Sequence, residues 1–189
     1  MRIKGEMPVP AETEYESLRA EINQNSQTVA GVFTASVAVS VSLVGYGLSR
    51  ESAGVLLAPF GVVVPALFFI ASQLESTTRI AAYLSVFLEE GEGWESRWRR
   101  LREKRMLPRQ RVYAPSIAGM YLLLALLCLV LAWLYWRAGV VSFLAVALLL
   151  LVPVVAGVVS LTESFSMRMV REYVEAWERL REDERKEGA

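Results

Sequence analysis

Histidine is absent from the 189-residue sequence, and cysteine occurs once, at Cys128. The lack of histidine excludes histidine general bases, Ser-His pairs, histidine metal ligands and histidine pH sensors. A single cysteine cannot form an intramolecular disulfide, so the chain needs no oxidising compartment. Because Cys128 lies within an apolar run, we expect it to be a small buried hydrophobic residue.

Charged residues are absent from four runs of roughly 20 residues each, at 28–48, 53–74, 116–136 and 138–161. Each run is long enough to cross a hydrocarbon core of about 30 Å as a helix. A backbone in that core must satisfy its own hydrogen bonds, which favours helices. Since 54% of the sequence is also hydrophobic, we predict an all-α integral membrane protein with four transmembrane helices.

The first apolar run is expected to remain in the protein, because residues 1–27 lack the basic and apolar regions of a signal peptide. Short connections at 49–52 and at Arg137 join the runs into two hairpins. Of the 20 Lys and Arg residues, 18 lie on one side of this arrangement. By the positive-inside rule, that side is cytoplasmic, and both termini lie there. The predicted location is the plasma or inner cell membrane.

The sequence divides into five predicted segments: a cytoplasmic N-terminal helix at 1–27, a transmembrane hairpin at 28–74, a cytoplasmic helical and basic segment at 75–115, a second hairpin at 116–161 and a cytoplasmic C-terminal helix at 162–189. Apolar residues recur at helical spacing in the three cytoplasmic segments: Tyr15, Leu18 and Ile22; Ile80, Tyr83, Leu84, Phe87 and Leu88; Val170, Tyr173, Val174, Trp177 and Leu180. These stripes predict helices that extend beyond the membrane and form a small cytoplasmic bundle.

Residues 14–22 read EYESLRAEI, and after the first hairpin come RIAAYLSVFLE at 79–89 and WE at 94–95. This pattern, which covers about half of the chain, resembles small bacterial multi-pass membrane proteins. The resemblance implies no activity, because that group is uncharacterised. The general plan is also similar to two-span effector modules proposed to form pores in bacterial defence systems.

The first apolar run contains small residues spaced by three or four positions: Gly31, Ala35, Ala38, Ser42 and Gly45. We call these five residues the seam. Small side chains let another helix approach closely, so the seam predicts helix packing. Its partner is either a helix of the same chain, which we favour because four helices can bury it, or a helix of another subunit.

Hydroxyl residues Thr28, Ser36 and Ser40 lie on a different part of the same helix. In a homo-oligomer they could line a water-filled path. The alternative, which we favour, is that they bond to backbone carbonyls or to neighbouring helices. No run contains an ionisable Asp, Glu, Lys or Arg, which argues against charge-coupled transport but not against a gated pore.

The densest charge on the chain is basic and is interleaved with Trp94 and Trp98; it comprises Arg97, Arg99, Arg100, Arg102, Lys104, Arg105, Arg109 and Arg111. On the cytoplasmic side, such a segment is expected to contact anionic lipid headgroups. A nucleic-acid site is the less favoured interpretation, because orientation and lipid anchoring already account for the cluster.

No catalytic, cofactor or metal site is predicted. The acids lack the spacing of an EF-hand, no glycine-rich phosphate loop follows a strand, and no carboxylate pair stands out. Acids and bases interleave after residue 168, which is typical of a solvated, ion-paired helix face. We therefore expect no enzymatic activity, although cytoplasmic carboxylates keep a lipid-headgroup enzyme as a third hypothesis.

Two functional hypotheses lead. The first is a homo-oligomeric pore or channel-like protein, in which the first or second spans surround the path and the cytoplasmic helices assemble or gate it. The alternative is a membrane-anchored scaffold that presents cytoplasmic helices to a protein partner. The two differ in what the hydroxyl-bearing face of the first span contacts.

Overall fold

The computed structural model describes residues 11–88, 113–164 and 166–187, and every regular element in these ranges is a helix. The helices are α1 (Ala11–Ser49), α2 (Ala53–Leu57), α3 (Phe60–Tyr83) with a π-helical continuation (Leu84–Leu88), α4 (Tyr113–Leu134), α5 (Val140–Ser164) and α6 (Met167–Glu187). The prediction of an all-helical chain is confirmed for these residues.

Four helical stretches are long and apolar enough to cross a membrane: Thr13–Ser49, Ala53–Leu88, Ser116–Leu134 and Val140–Ser164. Each overlaps one of the four charge-free runs, and the first two extend well beyond them, so the predicted number of apolar helices is confirmed. The third ends two residues earlier than predicted. There the N–H groups of Tyr135 and Trp136 bond to carbonyls only three residues back, at Ala132 and Trp133, which tightens and closes the last turn.

Helix α1 is much longer than a membrane is thick. Its 39 residues extend for about 58 Å at 1.5 Å per residue, about twice the hydrocarbon core of a bilayer. The polar segment around Tyr15 and the apolar run that follows are therefore one continuous helix, with no break between them.

Proline interrupts the second apolar stretch at its beginning. Pro59 has no N–H to continue the hydrogen-bond ladder of α2, and its carbonyl instead accepts from Val62 and Val63 at the start of α3. By contrast, Pro65 and Pro153 lie inside α3 and α5. Only the first of the three prolines separates two helices.

The connection after α1 satisfies the carbonyls at the end of that helix. Ser52 N–H bonds to the Gly47 carbonyl and Glu51 N–H to the Leu48 carbonyl, which is the hydrogen-bond pattern of a Schellman motif. Glu51 takes the left-handed position of this motif, with φ +48°. The connection before α5 uses Gly139 at φ +92°, a conformation that glycine adopts without a steric penalty.

Helix α3 lies at the centre of the fold and packs against α1, α4, α5 and α6. The residues with no exposed surface include Leu56, Leu67, Ile70, Tyr121 and Leu161, contributed by four helices. Gly157 of α5 lies so close to α3 that an added Cβ would be 2.9 Å from the Leu67 Cβ. This glycine therefore permits the close approach of the two helices.

The outward faces of α4 and α5 are covered with large apolar side chains: Leu123, Leu126, Leu127, Val130, Val141, Leu144, Leu148, Leu149, Val152 and Val155. A water-soluble helix would place polar residues there. A continuous exposed apolar surface of this kind is typical of a surface that contacts lipid or protein.

Candidate functional site

Helix α1 has two opposite stripes rich in small residues, and within the described residues only one of them contacts other helices. The buried stripe contains Val29, Ser36, Ser40, Val44 and Gly47. At Gly47, an added Cβ would lie 2.9 Å from the Leu56 side chain. The close approach of α1 to the other helices therefore uses this stripe.

The seam lies on the other side of α1. All five of its residues are exposed, and an added Cβ at Gly31 or Gly45 would meet no atom within 4 Å. This corrects the expectation that helices of the same chain would bury the seam, as far as the described residues extend. The physical reason is that the opposite stripe already supplies the contacts with α2 and α3.

The exposed face of α1 contains no large apolar side chain along the line of the seam. Gln24 and Gln27 continue that line towards the N-terminus, at helical spacing from Gly31, and both are exposed. Exposed large apolar side chains lie to either side of this line, at Val39, Val41 and Tyr46. This face therefore differs in composition from the leucine- and valine-rich outward faces of α4 and α5.

The hydroxyls of the predicted pore lining lie inside the fold rather than on its surface. Ser36 and Ser40 are buried, at 5% and 0% exposure, and Thr28 is half-buried. Ser36 Oγ donates to the Phe33 carbonyl at 2.9 Å, as the alternative interpretation expected. This placement removes Ser36 and Ser40 from the residues that a path between copies could expose.

Tyr121 of α4 is the partner of Ser36, and sequence reasoning missed it. Its Oη lies 2.5 Å from Ser36 Oγ; because the serine proton goes to Phe33, the phenol is the donor. The Tyr121 ring also meets Phe33 edge-on, with centroids 5.5 Å apart. The available signal was a phenol in a charge-free run, since a buried tyrosine hydroxyl needs a hydrogen-bond partner.

Tyr121→Phe is expected to lower the free energy of unfolding by about 1 kcal/mol, because one buried interhelical hydrogen bond is lost without a change in packing volume. Thermal unfolding in mild detergent measures the effect. Tyr46→Phe, at an exposed tyrosine, is the control and should change stability by less than about 0.5 kcal/mol. Equal stability of the two variants would show that the Ser36 contact contributes nothing.

The predicted apolar stripes of residues 80–88 and 170–180 pack against each other at one end of the fold. Tyr83, Phe87 and Trp177 form what we call the aromatic cluster, with Tyr83 stacked on Phe87 at 5.0 Å and edge-on to Trp177 at 5.3 Å. Ala82, Val86 and Val174 form the buried apolar core beside it. Leu180 is the exception in these stripes, because it is exposed.

Three polar contacts link helices around the aromatic cluster. The Tyr83 hydroxyl donates to Glu14 Oε1 at 2.7 Å, the Tyr173 hydroxyl donates to Glu75 Oε1 at 2.7 Å, and Arg181 donates to the Val86 carbonyl at 2.8 Å. The hydrogen bond to Glu75 is the largest cause that raises the pKa of Tyr173 above its usual value, followed by partial burial. These contacts join α1 to α3 and α3 to α6.

The rest of α6 is a solvated face with local ion pairs. Arg168 pairs with Glu172 at 2.8 Å and Lys186 with Asp183 at 3.4 Å, all with exposed side chains. Such pairs contribute little to stability. No group of three potential metal ligands occurs in the part of the chain that the structure describes.

The basic residues for which lipid contact is predicted lie outside the described residues; they are Arg97, Arg99, Arg100, Arg102, Lys104 and Arg105. Their role therefore stays a prediction.

No protein-family model, curated protein or solved structure matches the chain. The interpretation of the site consequently rests on the residues and contacts described above, and the resemblance to small bacterial membrane proteins stays a prediction.

Proposed function

We propose that the chain spans a cell membrane four times, in two hairpins, and assembles with copies of itself into a channel-like oligomer. In this oligomer, the seam of α1 faces the other copies. The segments beyond the spans, including α6 and the aromatic cluster, lie in the cytoplasm. The excess of Lys and Arg on that side supports the orientation.

The exposed seam is the observation that carries the proposal. In a bilayer, hydrophobicity gives no driving force for helices to associate, so association depends on close packing and on polar contacts. Small residues along one face of α1 allow close packing, and Gln24 and Gln27 supply polar groups at its end. A leucine-rich face, such as that of α5, is satisfied by lipid contact alone and needs no protein partner.

Where copies meet around a ring, one edge of the seam face of α1 packs on a neighbouring copy and the other edge borders a central path. From Gly31 to Gly45 this face carries no charge and no bulky side chain, so neither an electrostatic barrier nor a large apolar plug lies along it. Uncharged lining gives little discrimination between cations and anions, because selectivity for the sign of charge comes from charged rings or aligned dipoles. The proposed path is therefore a weakly selective one.

Ion flux from liposomes tests this function. Vesicles that contain the purified protein are expected to release both K⁺ and Cl⁻ faster than empty vesicles, with permeabilities that agree within roughly threefold, because the lining lacks charge. Vesicles that contain the same amount of protein without any flux above the empty control would contradict a channel. Release of cations alone would contradict the uncharged lining.

Contact with anionic lipid headgroups is part of the proposal. The segment at 75–115 contains nine of the 20 basic residues, and each base near an anionic surface contributes about 1 kcal/mol of binding. The expected membrane partners are therefore lipids with anionic headgroups on the cytoplasmic leaflet.

A membrane-anchored scaffold remains the second candidate, favoured by the way α6 is held. Hydrogen bonds from Tyr173 and Arg181 fix α6 against α3 and the π-helical segment, while its charged side stays exposed. A helix presented in this way suits recognition by a protein partner. If deletion of residues 168–189 left every co-purifying protein in place, this alternative would lose its support.

A further inference from the structure

Helix α1 connects the seam to a contact well outside the predicted spans. Glu14 lies 17 residues before Gly31 on the same helix, a distance of about 26 Å at 1.5 Å per residue. No proline or other break separates them. An unbroken helical backbone therefore connects Glu14 to the seam, so a tilt of α1 at Glu14 can reach the seam.

The contact at Glu14 is made by Tyr83. The phenol donates to the carboxylate at 2.7 Å, joining residues 69 positions apart on α1 and α3. Hydrogen bonds to an ionised acceptor are shorter and stronger than neutral ones. This hydrogen bond thus restrains the N-terminal end of α1.

The aromatic cluster sets the position of the Tyr83 ring. Phe87 stacks on the Tyr83 ring, and Trp177 of α6 meets the same ring edge-on. Arg181, one helical turn further along α6, bonds to the carbonyl of Val86 in the π-helical segment next to Tyr83. Any displacement of α6 would therefore disturb the ring that holds Glu14.

We infer that Glu14 and Tyr83 form a latch that holds the N-terminal end of α1 against α3, and that α6 controls this latch through Trp177. This inference rests on the proposed channel in one respect: release of the latch changes the orientation of the seam and hence the flux. The structural part of the inference, that the hydrogen bond restrains α1, does not depend on the channel.

Two tyrosines of this region form a matched pair for the test. Tyr83 and Tyr173 each donate a 2.7 Å hydrogen bond to a glutamate, but Tyr83 restrains α1, whereas Tyr173 joins α6 to Glu75 of α3. Tyr83→Phe and Tyr173→Phe therefore remove the same chemistry from different helix pairs. Glu14→Ala removes the latch from its other side and should reproduce the effect of Tyr83→Phe.

The first readout is the distance between spin labels on α1 and α3. Ala20 and Arg79, both exposed, are replaced by cysteine in a Cys128→Ala chain, so that only these two positions are labelled. We expect Tyr83→Phe and Glu14→Ala to broaden the distance distribution and to shift it to longer distances. Tyr173→Phe should leave it as in the parent chain, because the Trp177 contact and the Arg181 bond to the Val86 carbonyl still hold α6 beside the Tyr83 ring. An unchanged distribution in both latch variants, or an equal change in all three, would overturn the latch.

The second readout is ion flux from liposomes at matched protein content. Loss of a hydrogen bond to a charged acceptor should change the flux on the order of tenfold in Tyr83→Phe and leave it unchanged in Tyr173→Phe. A chain without any flux would refute the proposed channel, but the spin-label distances would still decide whether the latch exists. Broadened distances together with unaltered flux would overturn its role as a gate.

Discussion

Ala38→Leu is expected to reduce ion flux roughly tenfold or more, either because the copies separate or because the path is blocked. Ala38 lies in the middle of the seam and is exposed in a single copy. If another copy packs closely there, the larger side chain costs about 1–3 kcal/mol per contact through overpacking. If the seam faces lipid instead, leucine is as well suited as alanine, and the substitution has no effect.

Ala145→Leu is the matched control. Ala145 is also an exposed alanine within an apolar helix, but it lies on α5 among large apolar side chains. Its substitution should leave flux and copy number unchanged. Both quantities can be measured for both variants in the same lipid mixture. An Ala38→Leu chain that behaved like Ala145→Leu would show that no copy contacts the seam.

Gly157→Ala is expected to lower the free energy of unfolding by about 1–3 kcal/mol, through overpacking between α5 and α3. The added Cβ would lie 2.9 Å from the Leu67 Cβ, and Leu67 is fully buried. Because this neighbouring atom is next to the backbone, rotation of a side chain cannot relieve the contact. One helix must shift.

The control variant, Gly119→Ala, is expected to raise rather than lower the free energy of unfolding. An added Cβ at Gly119 of α4 would meet no atom within 4 Å, so Gly119→Ala should stabilise the helix by about 0.5–1 kcal/mol. Unfolding in a detergent titration compares the two variants with the parent chain. Stabilisation by Gly157→Ala would show that α5 does not approach α3 as closely as described.

The helices themselves could be predicted from the sequence because their physical cause is local. A run such as 28–48 contains no charge, and a helix satisfies all the backbone hydrogen bonds of such a segment within itself. The stripes that include Tyr83 and Trp177 were also readable, since a spacing of three or four residues places side chains on one helix face. Their direct contact agrees with the prediction that these helices pack together.

The orientation of α1 could not be read from the sequence. Both of its stripes contain small residues and serines, so composition alone does not decide whether Ser36 or Ser42 faces the core. The choice depends on tertiary contacts with α2 and α3 and on residues far along the chain, such as Tyr121, 85 positions after Ser36. The length of α1 and the link from Glu14 to Tyr83 likewise depend on tertiary contacts rather than on local pattern.

The most direct test of the account is the number of copies of the wild-type protein in lipid nanodiscs, measured by native mass. Discs are expected to contain several copies in a closed ring, because the described residues leave the seam exposed and small residues favour close packing with another helix. A single copy per disc at every ratio of protein to lipid would contradict the account and would favour the scaffold.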